Sequence, residues 1–323
     1  MLKSQLQRET IPQFCPSLAE EKWHPLFPKN DTDMTLRSLE GTLYGVSSLT
    51  LRKTCGFFAT LFTLPPPHLS ETPEHLRTDE LREPLDVYES DTVLSLILSL
   101  LCGLPIPPWG SINHAESVLN LAEKWDAPDP ISTIRSTLFT IQFYTSDPLR
   151  LYAIARHFDW HNEAGAMRIH TLALNLRDPV HSDILARISS KHISSLLDLH
   201  QGRKETFKKL LNSPERFTTG NREPSYCTRC GTTKIDNSTW HAYKKVLLAE
   251  IERRPLGDTI GLLYGGLSDC AEARACWEAR CNKKGCGGLC YDRCTTLKQI
   301  RNCVSSLWTL VEDSRAVFGP AMY

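Results

Sequence analysis

The sequence predicts an α+β protein with its strands confined to the first third of the chain and helices everywhere else. Three observations carry this. Residues 33–64 alternate polar and apolar positions and then switch to helical spacing. Residues 92–212 repeat apolar residues at helical intervals, broken by Asp-Pro pairs that start helices. Beyond residue 213 the chain turns polar, then cysteine-bearing, before one last helical stripe.

Residues 1–30 read as a loosely ordered N-terminal arm, with Pro12, Pro16, Pro25 and Pro28 among polar residues and Trp23, Leu26 and Phe27 able to dock on a surface. The domain proper begins at 31. Met34, Leu36 and Leu39, separated by Thr35, Arg37 and Ser38, form a half-buried strand. Glu40-Gly41 supplies the turn, because glycine accepts the positive φ of a tight hairpin. Thr42, Leu43, Tyr44 and Val46 return as a second strand. Leu51, Thr54, Cys55 and Phe58, with Phe57, Leu61 and Phe62, continue as helix up to Pro65-Pro66-Pro67. The polar stretch 68–83 reads as an exposed loop. Leu85 to Tyr88 is a third strand. Ser90 or Asp91 caps a core helix with Val93, Leu94, Ile97, Leu98, Leu100 and Leu101 nearly all round it. A further helix starts at Asn113 and turns Val118, Leu119, Leu121 and Ala122 inward; Asp129-Pro130 opens the next.

The order strand, Glu-Gly turn, strand, short helix, Cys55-Gly56-Phe57-Phe58, helix, then strand 85–88, helix 92–102 and the run Leu121-Ala122-Glu123-Lys124-Trp125 resembles a BTB (POZ) domain over residues 31–141. The similarity is to BTB proteins of filamentous and mushroom-forming fungi, which carry a helical extension. The resemblance implies protein–protein interaction: homodimerisation through the first strand and helix, and in part of the family recruitment of a cullin-type ubiquitin ligase. The chain departs from the family at Val46-Ser47-Ser48, where many members place a histidine after the valine, and no cullin motif aligns onto residues 89–117.

Residues 142–212 form a helical extension. Asp147-Pro148 starts a helix with Leu151, Ile154, Ala155 and Phe158 on one side, and a long helix later carries Ile193, Leu196, Leu197, Phe207, Leu210 and Leu211. Residues 213–226, with Pro214, Gly220 and Pro224, read as a linker to a Cys-rich helical region, 213–323. There a helix spans 238–254, another starts near Asp269, a cysteine-dense turn covers 281–294, and the final helix aligns Leu297, Ile300, Val304, Leu307, Trp308 and Val311.

Composition bounds the function. The 323 residues contain 41% hydrophobic and 23% charged residues, ordinary for a globular protein. Lys+Arg and Asp+Glu each number 37, and this balance argues against a nucleic-acid binder. The N-terminus lacks the apolar core of a signal peptide, and residues 93–104 are too short to span a bilayer, so the expected setting is intracellular and off the membrane. The 12 cysteines are then read as metal ligands or buried thiols rather than disulfides.

Cys227-Thr-Arg-Cys230-Gly231 looks like a zinc knuckle: two intervening residues let both sulfurs reach one tetrahedral ion, and the glycine permits the tight turn. The partner pair must come from Cys276, Cys281, Cys286, Cys290 and Cys294. Cys290 and Cys294, four apart, would share a helix face and complete a structural zinc site with Cys227 and Cys230. Cys286 with Cys290 is an alternative pair, and unliganded thiols are the plain reading. Cys15, Cys55, Cys102, Cys270 and Cys303 suit burial. No histidine stands in a recognisable arrangement with a cysteine nucleophile, and there is no GxxxxGK, GxGxxG or GxSxG. The expectation is a non-enzymatic interaction protein without catalytic residues. The alternative is a zinc-dependent regulator that contacts nucleic acid through its Cys-rich tail.

Overall fold

The computed structural model describes residues 21–30, 32–64 and 83–316. It is α+β: a three-stranded mixed sheet and, among the described residues, 14 α-helices. Two compact units meet in sequence between Leu138 and Phe139.

In the first unit β1 (Met34–Arg37) pairs antiparallel with β2 (Leu43–Val46), with Leu36 opposite Tyr44, and parallel with β3 (Leu85–Asp86), giving the order β2-β1-β3. The Glu40-Gly41 turn closes as the alternation requires, with the Gly41 N–H on the Ser38 carbonyl. β2 does not alternate: all four of its residues are buried. The arm explains why. Residues 22–27 lie along β2, exchanging hydrogen bonds between His24 and Leu43 (2.9 Å), Leu43 and Lys22 (2.8 Å) and Gly45 and Phe27 (2.9 Å). Phe27 is buried, and His24 stacks on Tyr44 at 4.8 Å between ring centroids. This part of the arm is therefore docked, not loose.

α1 (Ser48–Thr54) is capped by the Ser47 hydroxyl, and α2 (Gly56–Leu61) follows after Cys55. The proline run 65–67 and nearly all of the expected loop lie outside the described residues. Ser90 caps α3 (Asp91–Leu101), which buries Val93, Leu94, Ile97, Leu98 and Leu101. Asp91 ties this helix to the hairpin by accepting from Thr42 Oγ1 (2.7 Å) and the Tyr44 hydroxyl (3.2 Å), while its own N–H donates to Glu40 (2.8 Å). α4 (Ile112–Lys124) turns the expected residues inward. α5 (Pro128–Leu138) starts two residues earlier than its Asp129-Pro130 signal implies, because Pro128 already supplies a helical φ.

The second unit opens with α6 (Ile141–Ser146) and α7 (Pro148–His157). The Asp147 side chain accepts from the Arg150 N–H, so this Asp-Pro pair works as read. α8 (His161–His170), α9 (Ser182–Ala186) and the long α10 (Ser190–Leu211) follow. The stretch 213–226 is no linker. It contains α11 (Thr218–Asn221), and Phe217 joins one core with Phe207 and Leu211 of α10 and with Trp240, Tyr243, Leu247 and Ile251 of α12 (Ser238–Arg253). Its polar residues are spent internally: Asn221 donates to the Leu211 and Ser213 carbonyls and accepts from Trp240 Nε1 and Lys244 Nζ, both at 2.9 Å. The expected extension and Cys-rich region are thus one compact unit. α13 (Ala271–Glu278) and α14 (Arg293–Ala316) complete it.

Buried Arg203 on α10 joins these layers. Its guanidinium donates to the carbonyls of Pro255 (2.9 Å), Leu307 (3.0 Å) and Leu256 (3.3 Å). His200, one turn earlier, lies 3.3 Å from Thr171 Oγ1, which gives its own proton to the Arg168 carbonyl. Nε2 therefore carries the hydrogen, and the ring is neutral. Burial, with Arg203 and Arg168 close by, pushes this imidazole down to about 4. Below pH 6.5 the unfolded chain takes up a proton that the folded chain refuses. The stability is therefore complete above 6.5 and is lost as pH falls toward 4. Denaturant titration should show His200→Gln losing roughly 2 kcal/mol less than wild type between pH 7 and pH 5. Equal losses would remove His200 as a source of acid sensitivity.

Candidate metal centre

Two short loops build the site. In the first, Tyr226 and Lys234 form an isolated antiparallel bridge, and the Cys227 N–H donates to the Thr233 carbonyl (2.9 Å). The Gly231 N–H then bonds the Cys227 carbonyl (2.8 Å) with Gly231 at φ +66°, a left-handed turn that a side chain would strain. In the second, Arg280 and Leu289 form the bridge, the Cys281 N–H donates to the Gly288 carbonyl (2.8 Å), and the Cys286 N–H to the Lys283 carbonyl (2.9 Å). Arg229 Nη1 reaches across to the Cys286 carbonyl (2.9 Å) and Lys283 Nζ to Thr232 Oγ1 (3.1 Å), so each loop holds the other.

This pairing brings the sulfurs of Cys227, Cys230, Cys281 and Cys286 within 4.8 Å of one another. Cys227 Sγ is 3.8 Å from Cys286 Sγ, and Cys230 Sγ is 3.8 Å from Cys281 Sγ. A disulfide needs about 2.05 Å; all four thiols are free. A tetrahedron with metal–sulfur bonds of about 2.3 Å has edges of about 3.8 Å, so the spacing suits a zinc-sized ion. Four sulfurs leave no open coordination position, which is the arrangement of a structural site rather than a catalytic one.

The electrostatics divide the four. The Thr233 hydroxyl and the Thr232 and Thr233 N–H groups hold Cys230 down to about 5, and the N–H groups of Cys230 and Arg229 lower Cys227. The Gly288 N–H favours the Cys286 thiolate, but desolvation and the neighbouring Cys281, Cys227 and Cys230 outweigh it and push Cys286 up to about 11. Without a cation among them the sulfurs do not all ionise; with one, all four can.

Of the sequence-predicted ligands, Cys227 and Cys230 are in the cluster, whereas Cys290 and Cys294 are not. The pair was expected to share a helix face, but α14 begins only at Arg293. Cys290 precedes it in a bend after the Leu289 bridge, its N–H on the Ala279 carbonyl and its side chain buried, while Cys294 is exposed. Cys281 and Cys286 take their places. A sequence signal was present: Cys286-Gly287 repeats the Cys230-Gly231 doublet, and Gly287 also takes a positive φ of 55°. Cys55 and Cys303 are buried as expected, and Cys270 is half-buried at the start of α13, but Cys102 at the end of α3 is exposed. Cys15 lies outside the described residues.

Neither family models nor curated protein sequences match the chain. Among the described residues no helix is long and apolar enough to cross a membrane.

Pulse alkylation of metal-stripped protein should modify Cys230 well before Cys276, which burial pushes up to about 12, or Cys303, which burial also raises. Peptide mass spectrometry that found Cys276 or Cys303 modified first would contradict the packing described.

Proposed function

We propose that the chain is a non-enzymatic protein–protein interaction module: a BTB-like first unit that self-associates or grips a partner, and a helical second unit folded around a structural zinc ion. The observation that carries the interaction reading is apolar surface on the hairpin and first helices. Leu39 is 67% exposed, Leu49 57% and Phe57 45%, where the BTB resemblance puts the dimer face. The hairpin, the two helices after it, the third strand and the core helix follow the BTB order. A cullin-type ligase is the partner class which that resemblance adds. The non-enzymatic reading is supported by the cysteine cluster, whose four sulfurs would fill a tetrahedral shell and leave no position for a substrate.

Light scattering on the eluting full chain should give twice the chain mass at micromolar concentration. Leu49→Asp with Phe57→Asp should halve it while leaving the circular dichroism unchanged. A wild-type monomer at every concentration would contradict self-association.

The zinc would be held by Cys227, Cys230, Cys281 and Cys286, supplying the positive charge that lets all four sulfurs ionise. Protein purified without chelator should carry about one equivalent of zinc. Cys286→Ser should lose most of it and destabilise the second unit, since the binding energy of a structural metal is folding energy. Cys294→Ser should keep it. Metal-free wild type, or a loss caused by Cys294→Ser alone, would overturn this ligand set.

A further inference from the structure

The two cysteine loops are unusual in their charge. Residues 226–234 and 279–291 contain Arg229, Lys234, Arg280, Lys283 and Lys284 and no Asp or Glu, the carboxylates of Asp236, Glu278 and Asp292 standing just outside the loops. The whole chain balances to zero, so this is a local concentration that composition hides. None of the five makes an ion pair among the described residues. Three are held in place by neutral partners instead: Arg229 by the Cys286 carbonyl, Lys283 by Thr232 Oγ1, and Arg280 by the Gly287 carbonyl at 3.1 Å. Such bonds fix the position of a cation without neutralising it.

The simplest role for these cations is to offset the thiolates. A zinc ion with four thiolates carries a net charge of −2, so the five side chains leave the loop pair with a surplus of +3. The surplus sits beside exposed apolar side chains: Tyr226, 52% exposed, opens the first loop, and Leu289, 48% exposed, closes the second. An exposed aromatic ring in the loop that carries Arg229 and Lys234, opposite Lys234 in the bridge, matches a strand of phosphates whose bases are free to stack. An acidic peptide would use the cations but has no need of the ring.

We infer that the paired cysteine loops form a binding surface for single-stranded nucleic acid, with Arg229, Arg280, Lys283 and Lys284 on phosphates and Tyr226 stacking on a base. This rests on the zinc reading only for the loops' rigidity; the cations and the ring are there in either case.

The test is fluorescence anisotropy of a fluorescein-labelled single-stranded oligouridylate titrated with the full chain, with zinc content measured on the same samples. Binding should weaken roughly 50- to 130-fold between 50 and 200 mM salt, as expected for about four or five phosphate contacts to a single strand. Lys284→Glu, at a lysine that bonds neither loop to the other, should weaken it about tenfold at 100 mM salt with zinc content unchanged. Tyr226→Ala should weaken it about fivefold or more. No binding by the wild type, or equal binding by the Lys→Glu variant, overturns the inference. So does displacement by polyglutamate at the same charge concentration as by unlabelled oligonucleotide, which would point to an acidic polypeptide. Zinc-free protein that still binds in this pattern would reject the metal reading and leave the nucleic-acid reading standing.

Discussion

Four sulfurs within 4.8 Å of one another impose the main constraint on the second unit. As thiols they are weak, poorly matched hydrogen-bond partners. As thiolates they repel one another, and desolvation together with the neighbouring sulfurs keeps Cys286 from ionising. A cation at their centre would resolve both difficulties. The backbone is already arranged for it: N–H groups of residues 229, 230, 232, 233 and 288 favour negative charge on the sulfurs. The two loops are 51 positions apart at Cys230 and Cys281, and α12 and α13 lie between them. Closing the site therefore closes that whole segment on itself. Cys227, Cys281 and Cys290 belong to the same core as Trp240, Tyr243 and Trp277, so the site is continuous with the packing of the helices.

The first unit is organised by a different device. Asp91, at the start of α3, gathers hydroxyls from Thr42 and Tyr44, and Glu40 holds its N–H. These bonds fix the hairpin against the core helix without using the apolar residues at Leu39, Leu49 and Phe57, which stay exposed. A hairpin anchored by its polar groups can present an apolar surface outward, and an interaction module requires such a surface.

Much of this was legible in the sequence, and the failures share a cause. The strands, the Ser90 cap and the Asp147-Pro148 start are local, and local chemistry found them. The linker reading of 213–226 failed because Asn221, Trp240 and Lys244 satisfy one another only in the folded unit; polarity in sequence looked like solvent exposure. β2 is buried throughout because residues 22–27, which the prolines of the arm had marked as loose, bond along it and pack His24 and Phe27 on Tyr44. At the cysteine cluster, the CxxC spacing located Cys227 and Cys230, but helical spacing pointed to Cys290 and Cys294. A shared helix face needs a helix through residue 290, but Leu289 is tied to Arg280 in a bridge, Cys290 bends after it, and the helix starts only at Arg293. The repeated Cys-Gly doublet was the better guide, because a left-handed glycine after the second cysteine is what turns a loop around an ion.

The claim that bears most weight is an ion held by four sulfurs, and X-ray absorption at the zinc edge on the full chain tests it directly. The account predicts a first shell of about four sulfurs at about 2.3 Å with no lighter ligand. A shell containing nitrogen or oxygen at about 2.0–2.2 Å, or no zinc absorption from folded protein, would contradict it.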